Sequence, residues 1–124
     1  MTDRKPRLCL AASGGGHVRQ ILDLEPLWRD YEHIFVTEDT ALGRSIAQKH
    51  PSAFVSHVAL GQARLGAPFR MLWGAAKNCV EAFNIIRRHK PDAVITTGAG
   101  SMFFTIFWAR LRGARIVLVD SFAR

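Results

Sequence analysis

The feature that most constrains the fold of this 124-residue chain is an alternation of short apolar runs with stretches of helical periodicity. The apolar runs predict five strands, at residues 8–12, 33–37, 54–58, 93–96 and 115–119. Apolar strands that alternate with helices are typical of a parallel sheet covered on both faces. With right-handed crossovers, the expected fold is a Rossmann-like α/β sheet with strand order 3-2-1-4-5.

Apolar residues at i, i+3, i+4 spacing predict four helices, over residues 18–28, 40–49, 69–89 and 100–112. Leu27 and Trp28 are expected to complete the apolar face of the first helix. Pro91 ends the third helix, and Gly113 stands where a C-terminal cap of the fourth belongs. The inward face of the third helix is predicted to consist of Leu72, Ala76, Cys79, Phe83 and Ile86.

Residues 1–124 are predicted to form one domain, because no repeat or linker divides the chain. A hydrophobic content of 48% excludes a disordered chain. Cys9 and Cys79 stand far apart without metal-ligand spacing, which predicts buried thiols in a reducing compartment and no metal. No secretory signal is recognised, and the longest apolar run, 99–109, is too short to span a bilayer. The expected location is cytoplasmic.

Charge is unevenly distributed along the chain. Residues 1–39 hold five basic and seven acidic side chains, whereas residues 40–124 hold twelve basic and three acidic. A basic segment of this kind favours an anionic partner such as a phosphate group or an acidic lipid surface. Nucleic acid is not expected, since the chain has no Lys/Arg-rich run, zinc-finger spacing or aromatic RNA-binding signature.

Two glycine-rich turns are expected to share one edge of the sheet. One follows the first strand as Ser13-Gly14-Gly15-Gly16-His17, and the other follows the fourth strand over residues 96–101. In the predicted strand order these two strands are neighbours at the switch point, where open α/β sheets bind ligands. Two helix N-termini facing one crevice would suit a diphosphate, although glycines of this kind also serve simply to make the turn.

A dinucleotide site is a weaker alternative. Gly14-x-Gly16 matches the start of the G-x-G-x-x-G pattern, and Glu38 stands about where a ribose-binding acid belongs. Arg19, however, occupies the third glycine position, where close helix–strand packing excludes a long side chain. No cofactor is therefore expected.

His17 is the candidate catalytic residue. At a helix N-terminus its imidazole is favoured in the neutral form, which can accept a proton from a sugar hydroxyl. The alternative is a histidine that caps the helix or only binds a phosphate. The remaining histidines are expected to be solvated.

Three motifs carry a family resemblance: Leu-Ala-Ala-Ser-Gly-Gly-Gly-His at 10–17, Lys-Pro-Asp-Ala-Val-Ile-Thr-Thr-Gly-Ala-Gly at 90–100, and Gly-Ala-Arg-Ile-Val-Leu-Val-Asp-Ser-Phe-Ala-Arg at 113–124. In this order the motifs resemble the acceptor-side subunit of two-component GT-B glycosyltransferases, as in dolichol-linked and bacterial exopolysaccharide synthesis. The chain is similar, more remotely, to the N-terminal domain of the peptidoglycan N-acetylglucosaminyltransferase.

The resemblance implies the acceptor-binding half of an inverting UDP-sugar transferase that acts on a polyprenyl-diphosphate-linked sugar. A partner subunit would bind the UDP-sugar donor, and this half would lie at the inner face of the membrane. The family continues beyond the third motif, so the N-terminal half of a GT-B enzyme, truncated at its C-terminus, is expected. The residues implied to contact the acceptor or its diphosphate are Ser13, Gly14, Gly15, Gly16, Thr97, Gly98, Ala99, Gly100, Asp120 and Ser121.

Two other functions stay open: a non-catalytic scaffold that docks a catalytic partner to the membrane, and a free-standing nucleotide-binding module. Phe69 and Trp73, near Arg64 and Lys77, are predicted to contact the membrane, because apolar side chains beside cations suit an anionic lipid interface. The alternative is that aromatic residues of this kind belong to the core.

Overall fold

The computed structural model describes residues 6–13, 15–56, 68–97 and 100–119. The strands are β1 (Leu8–Ala11), β2 (His33–Glu38), β3 (Ser52–Val55), β4 (Ala93–Thr96) and β5 (Arg115–Leu118). The helices are α1 (Gly15–Leu22), α2 (Glu25–Trp28), α3 (Ala41–Ala47), α4 (Pro68–His89) and α5 (Phe103–Leu111), with a 3-10 turn at Gly100–Met102 before α5.

The five strands form one parallel sheet in the order β3-β2-β1-β4-β5. Cys9 in the central strand pairs with Ile34 of β2 and with Val94 of β4. The predicted Rossmann-like fold class and strand order are confirmed.

Alternate residues of the sheet feed two separate cores, as the two-residue period of a strand requires. Buried side chains on the face covered by α4 and α5 are Cys9, Ala11, Ile34, Val36, Val55, Ile86, Val94, Met102, Ala109 and Ala114. Those on the face covered by α1, α2 and α3 are Leu8, Leu10, Ala12, Val18, Ile21, Trp28, Phe35 and Ile46. Burial raises the pKa of the Cys9 thiol to about 12, whereas Cys79 is only partly buried.

The first predicted helix is divided into α1 and α2. Pro26 lacks an N–H group, and its ring would clash with the carbonyl of residue 22, so a continuous helix cannot pass through it. The chain turns at Asp23 and α2 begins again at Glu25. The new helical phase buries Trp28 completely, with its indole N–H donating to Ile21 O at 2.9 Å, and leaves Leu27 63% exposed.

The predicted inward face of α4 is wrong except at Ile86. The helix packs on the sheet through Asn78, Ala82 and Ile86, which are spaced by one turn. Leu72 is 58% exposed, and Phe83 packs edge-on against Trp108 of α5 at 5.0 Å between ring centroids. The outer side of α4 is therefore apolar over much of its length.

The end of α5 is the predicted glycine cap. Gly113 has φ +90°, and its N–H donates to Arg110 O at 3.0 Å. The N–H of Ala114 donates to Ala109 O at 3.0 Å, which completes a Schellman motif. Glycine is favoured here because a side chain at this φ is strained.

Strand β3 begins and ends earlier than the predicted 54–58. The N–H of Phe35 in β2 donates to Pro51 O at 2.8 Å, which sets the register just before Ser52. At the other end the N–H of Ser56 donates to a side chain of α4 instead of the sheet. Val58 lies outside the described residues.

Gly43 allows α3 to approach the end of β2. The N–H of Gly43 donates to the Thr40 hydroxyl, the N-cap of α3, at 3.0 Å. A Cβ at Gly43 would lie 2.6 Å from Glu38 O and 3.1 Å from Thr37 Cγ2. The Glu38 oxygen belongs to the backbone, so it cannot move aside as the end of a flexible side chain could.

Gly43→Ala is therefore expected to destabilise the protein by about 1–3 kcal/mol. In an unobstructed helix the same change would stabilise by about 1 kcal/mol. Urea unfolding measures the difference. Ser45→Ala, on the exposed side of α3, is the control and should change the free energy of unfolding by less than about 0.5 kcal/mol. A Gly43→Ala variant at least as stable as wild type would contradict the close approach.

Candidate functional site

Both glycine-rich turns leave the same edge of the sheet from adjacent strands. Ala11 at the end of β1 is in register with Thr96 at the end of β4. From β1 the chain passes to α1 on one face of the sheet, and from β4 it passes to α5 on the other. In open α/β sheets, ligands bind at the point where the chain diverges in this way.

The predicted site residues fall into two groups. Those in the described part are Ser13, Gly15, Gly16, His17, Thr97 and Gly100. Gly14, Gly98, Ala99, Asp120 and Ser121 lie outside the described residues. Gly15 starts α1 and His17 lies in its first turn, while Gly100 starts the 3-10 turn. The structure thus brings the starts of two helical segments to one edge of the sheet.

Ser13 and Thr97 are half-buried where the two turns begin. The Thr97 hydroxyl oxygen is enclosed and has no hydrogen-bond partner among the described residues. A hydroxyl in this state can both donate to and accept from a bound group. Thr97 is the described side chain of the second turn best suited to contact a ligand.

Glu38 ends β2, where the dinucleotide pattern expects its ribose-binding acid, but its carboxylate is bonded within the protein. Its side chain is 9% exposed at the end of β2, and the Ser101 hydroxyl donates to Glu38 Oε2 at 2.6 Å. Because β1 lies between β2 and β4, this hydrogen bond passes across the end of β1. Glu38 therefore joins β2 to the start of the helical segment after β4, which argues against the dinucleotide alternative.

Helix α4 adds a second set of polar contacts at this edge, which sequence reasoning missed. The fully buried Asn78 amide donates to Ser56 O at 2.7 Å and to Ser101 O at 2.9 Å. One turn later, Glu81 accepts from the Ser56 N–H at 2.6 Å and from its hydroxyl at 3.1 Å. The sequence signal for these contacts is Asn78, a polar residue that stands one turn before Ala82 on the same face of the helix as Ile86.

The outer side of α4 carries the predicted membrane contacts. Phe69 is 83% exposed and Trp73 is 69% exposed, so neither belongs to the core. A shallow, mostly apolar cavity of about 310 Å³ lies beside Trp73, and its described lining residues are Trp73, Ala76, Lys77, Val80 and Glu81. No helix in the described ranges is long and apolar enough to span a membrane.

At the opposite edge of the sheet, His33 and His50 are not simply solvated. Both rings pack against the indole of the buried Trp28, at 4.8 and 5.4 Å between centroids. Their ring nitrogens lie 3.3 Å apart, and His33 Nδ1 lies 2.8 Å from Tyr31 O. Burial and the neighbouring His33 lower the pKa of His50, although Glu25 opposes the shift.

A lowered pKa makes stability depend on pH near neutrality. Below the ordinary value of 6.5 the unfolded chain binds a proton at His50 more readily than the folded chain does. The contribution of His50 is therefore fully present above pH 6.5 and is lost as the pH falls from that value through the lower pKa of the folded state. Burial lowers the pKa of His89 as well, which adds in the same direction.

We expect the free energy of unfolding to fall between pH 8 and pH 5, and to fall less steeply in His50→Gln. Urea unfolding at several pH values measures both slopes. Because His89 is unchanged in the variant, some pH dependence of the free energy of unfolding remains. The slopes of the two proteins are therefore compared. Equal slopes for the two proteins would contradict the assigned role of His50.

The fold is similar to that of MurG from Acinetobacter baumannii, in a crystal structure that matches with a TM-score of 0.69 and 21% sequence identity. The match covers 94% of this chain and 35% of that one, so this chain spans about a third of the length of that MurG. No protein-family model matches the chain, and no curated protein matches it by sequence. At this identity the likeness shows the Rossmann-like fold.

Proposed function

We propose that this chain is the acceptor-binding half of a glycosyltransferase that transfers a sugar from a UDP-sugar to a polyprenyl-diphosphate-linked acceptor. The observation that carries the proposal is the register of Ala11 with Thr96, by which the two strands that precede the glycine-rich turns end at the same level of the sheet. The sequence motifs of the acceptor-side GT-B family and the fold shared with MurG support it.

The starts of α1 and of the 3-10 turn supply the anion-binding part of the proposed site. The first N–H groups of a helix have no partner within the helix and carry the positive end of its dipole. Gly15, Gly16 and Gly100 place no side chain in the way of a phosphate. The diphosphate would accept hydrogen bonds from these N–H groups, with Thr97 at its side.

His17 would act as the general base. The acceptor hydroxyl attacks the anomeric carbon of the donor sugar, the bond from that carbon to the UDP oxygen breaks, and UDP leaves with the electron pair. The hydroxyl proton passes to the His17 imidazole. Attack from the side opposite the leaving group inverts the anomeric configuration.

The proposal places the sugar donor on a second polypeptide. The described part of this chain forms one Rossmann-like sheet, and its motifs resemble the acceptor-side subunit of two-component GT-B glycosyltransferases. A GT-B enzyme holds its two substrates between two such domains, so this domain would form the acceptor wall of the cleft. The partner would be a donor-binding subunit similar to a GT-B C-terminal half.

His17→Ala, assayed with the donor-binding partner, is expected to lower kcat by about 10²–10⁴-fold while the two subunits still associate. The assay follows transfer from a radiolabelled UDP-sugar to a polyprenyl-diphosphate-sugar. Arg19→Ala, on an exposed position of α1, is the matched control and should keep wild-type turnover.

Full activity in His17→Ala would favour the non-catalytic scaffold instead. Without its partner, the chain is expected to transfer no sugar. Turnover by the purified chain alone would refute the two-subunit proposal. Saturable binding of a UDP-sugar to the isolated chain would favour the nucleotide-binding module.

The outer side of α4 is proposed to rest on the membrane. Phe69, Leu72 and Trp73 are exposed within two turns of Arg70 and Lys77. Aromatic and aliphatic side chains partition into the headgroup boundary, and the cations pair with anionic lipids. This surface would hold the domain where a lipid-linked acceptor is found.

The double variant Phe69→Ser/Trp73→Ser is expected to lose most binding to vesicles that contain anionic lipid. Co-sedimentation measures bound protein. Leu27→Ser is the control, since Leu27 is 63% exposed but lies in α2, which packs on the other face of the sheet. Undiminished sedimentation of the double variant would rule out this surface.

A further inference from the structure

Five polar residues from four segments meet on the α4 and α5 side of the proposed acceptor edge. This polar clamp, as we call it, consists of Glu38, Ser56, Asn78, Glu81 and Ser101. Glu38 ends β2, Ser56 follows β3, Asn78 and Glu81 lie in α4, and Ser101 lies in the 3-10 turn after β4. The clamp therefore connects the second glycine-rich turn to three other parts of the fold.

Ser101 is held from two sides. Its hydroxyl donates to the Glu38 carboxylate at 2.6 Å, and its carbonyl accepts from the Asn78 amide at 2.9 Å. Ser101 is 3% exposed and Asn78 is fully buried, so water cannot replace these contacts without local opening. Hydrogen bonds to a charged group are about twice as strong as neutral ones.

The other half of the clamp fixes α4. Both amide hydrogens of Asn78 are used, one on Ser56 O and one on Ser101 O. Glu81 accepts hydrogen bonds from both the N–H and the hydroxyl of Ser56. Asn78 is thus the point through which β3, α4 and the second turn are joined.

We propose that the clamp positions the 3-10 turn Gly100–Met102 for acceptor binding, with Glu38 and Asn78 as positioning residues that act through Ser101. The proposal rests on the proposed function in one respect, namely that this turn contacts the diphosphate of the acceptor. A turn fixed before binding loses less conformational freedom when the ligand arrives, which raises affinity.

The choice of test variants depends on the carboxylate of Glu38. An ionised Glu38 would lie next to the start of a helical segment, where the helix dipole favours a negative charge and where that charge would repel a second anion. Glu38→Gln would therefore change diphosphate affinity through charge as well as through position. Ser101→Ala removes the hydrogen bond and keeps the charge, and Ser101→Thr restores the hydroxyl.

Two measurements on the whole chain test the proposal. The first is amide hydrogen exchange at residues 100–103, and the second is the Kd for inorganic diphosphate by titration calorimetry. In Ser101→Ala we expect exchange to accelerate by about tenfold or more, from loss of a charge-assisted hydrogen bond. We expect the Kd to rise by about three- to tenfold, and Ser101→Thr to recover both.

Ser52→Ala is the matched control. The Ser52 hydroxyl also donates one hydrogen bond, to His50 O at 3.0 Å, but it lies at the opposite edge of the sheet. It should change neither exchange at 100–103 nor the Kd. Ser56→Ala is a second clamp variant with a milder change, since Glu81 keeps its contact with the Ser56 N–H.

The possible results distinguish a failure of the clamp proposal from a failure of the proposed function. Unchanged exchange at 100–103 in Ser101→Ala would overturn the clamp, whatever the chain binds. Faster exchange with an unchanged Kd would overturn the positioning role, because the turn would then not contact the diphosphate. A wild-type chain that binds no diphosphate would overturn the proposed site and the positioning role together, even where exchange shows that the clamp orders the turn.

Discussion

The parallel pairing of β1 with β4 is the interaction on which the proposed site depends. It sets Ala11 beside Thr96, so the chain leaves two neighbouring strands at the same level of the sheet. One exit leads to α1 and the other to α5 on opposite faces of the sheet, which is the arrangement at which open α/β sheets bind ligands. A shift of this register would move the starts of the two turns apart.

At the same edge, hydrogen bonds from other segments offset the conformational entropy that a glycine-rich turn loses on folding. Glycine loses more conformational freedom on folding than other residues, so such turns are weak points. Here the residue after Gly100 is fixed by Glu38 from the sheet and by Asn78 from α4. These hydrogen bonds favour one arrangement of Ser101, while the Asn78 Oδ1 has no partner among the described residues.

Helix α4 packs on the sheet with one side and exposes apolar side chains on the other. Its inner side contributes Asn78, Ala82 and Ile86 to the sheet, and its outer side exposes Phe69 and Trp73. A helix that is apolar on both sides is ambiguous by sequence alone, and for this reason the predicted inward face failed at Leu72 and Phe83. In the structure, α4 packs against β3 and α5 in the phase that buries Asn78, Ala82 and Ile86.

The sequence by itself determined the parallel sheet, its strand order and the glycine cap of α5, because apolar runs, glycine and proline act through local sterics and hydrophobic burial. Tertiary structure alone decided the burial of Trp28, the phase of α4 and the partner of the Glu38 carboxylate. Those features depend on contacts between residues far apart in the chain: Glu38 meets Ser101 only because β1 holds β2 and β4 on either side. Periodicity describes which residues of one segment share a face, whereas the partner of that face is set by the packing of the whole sheet.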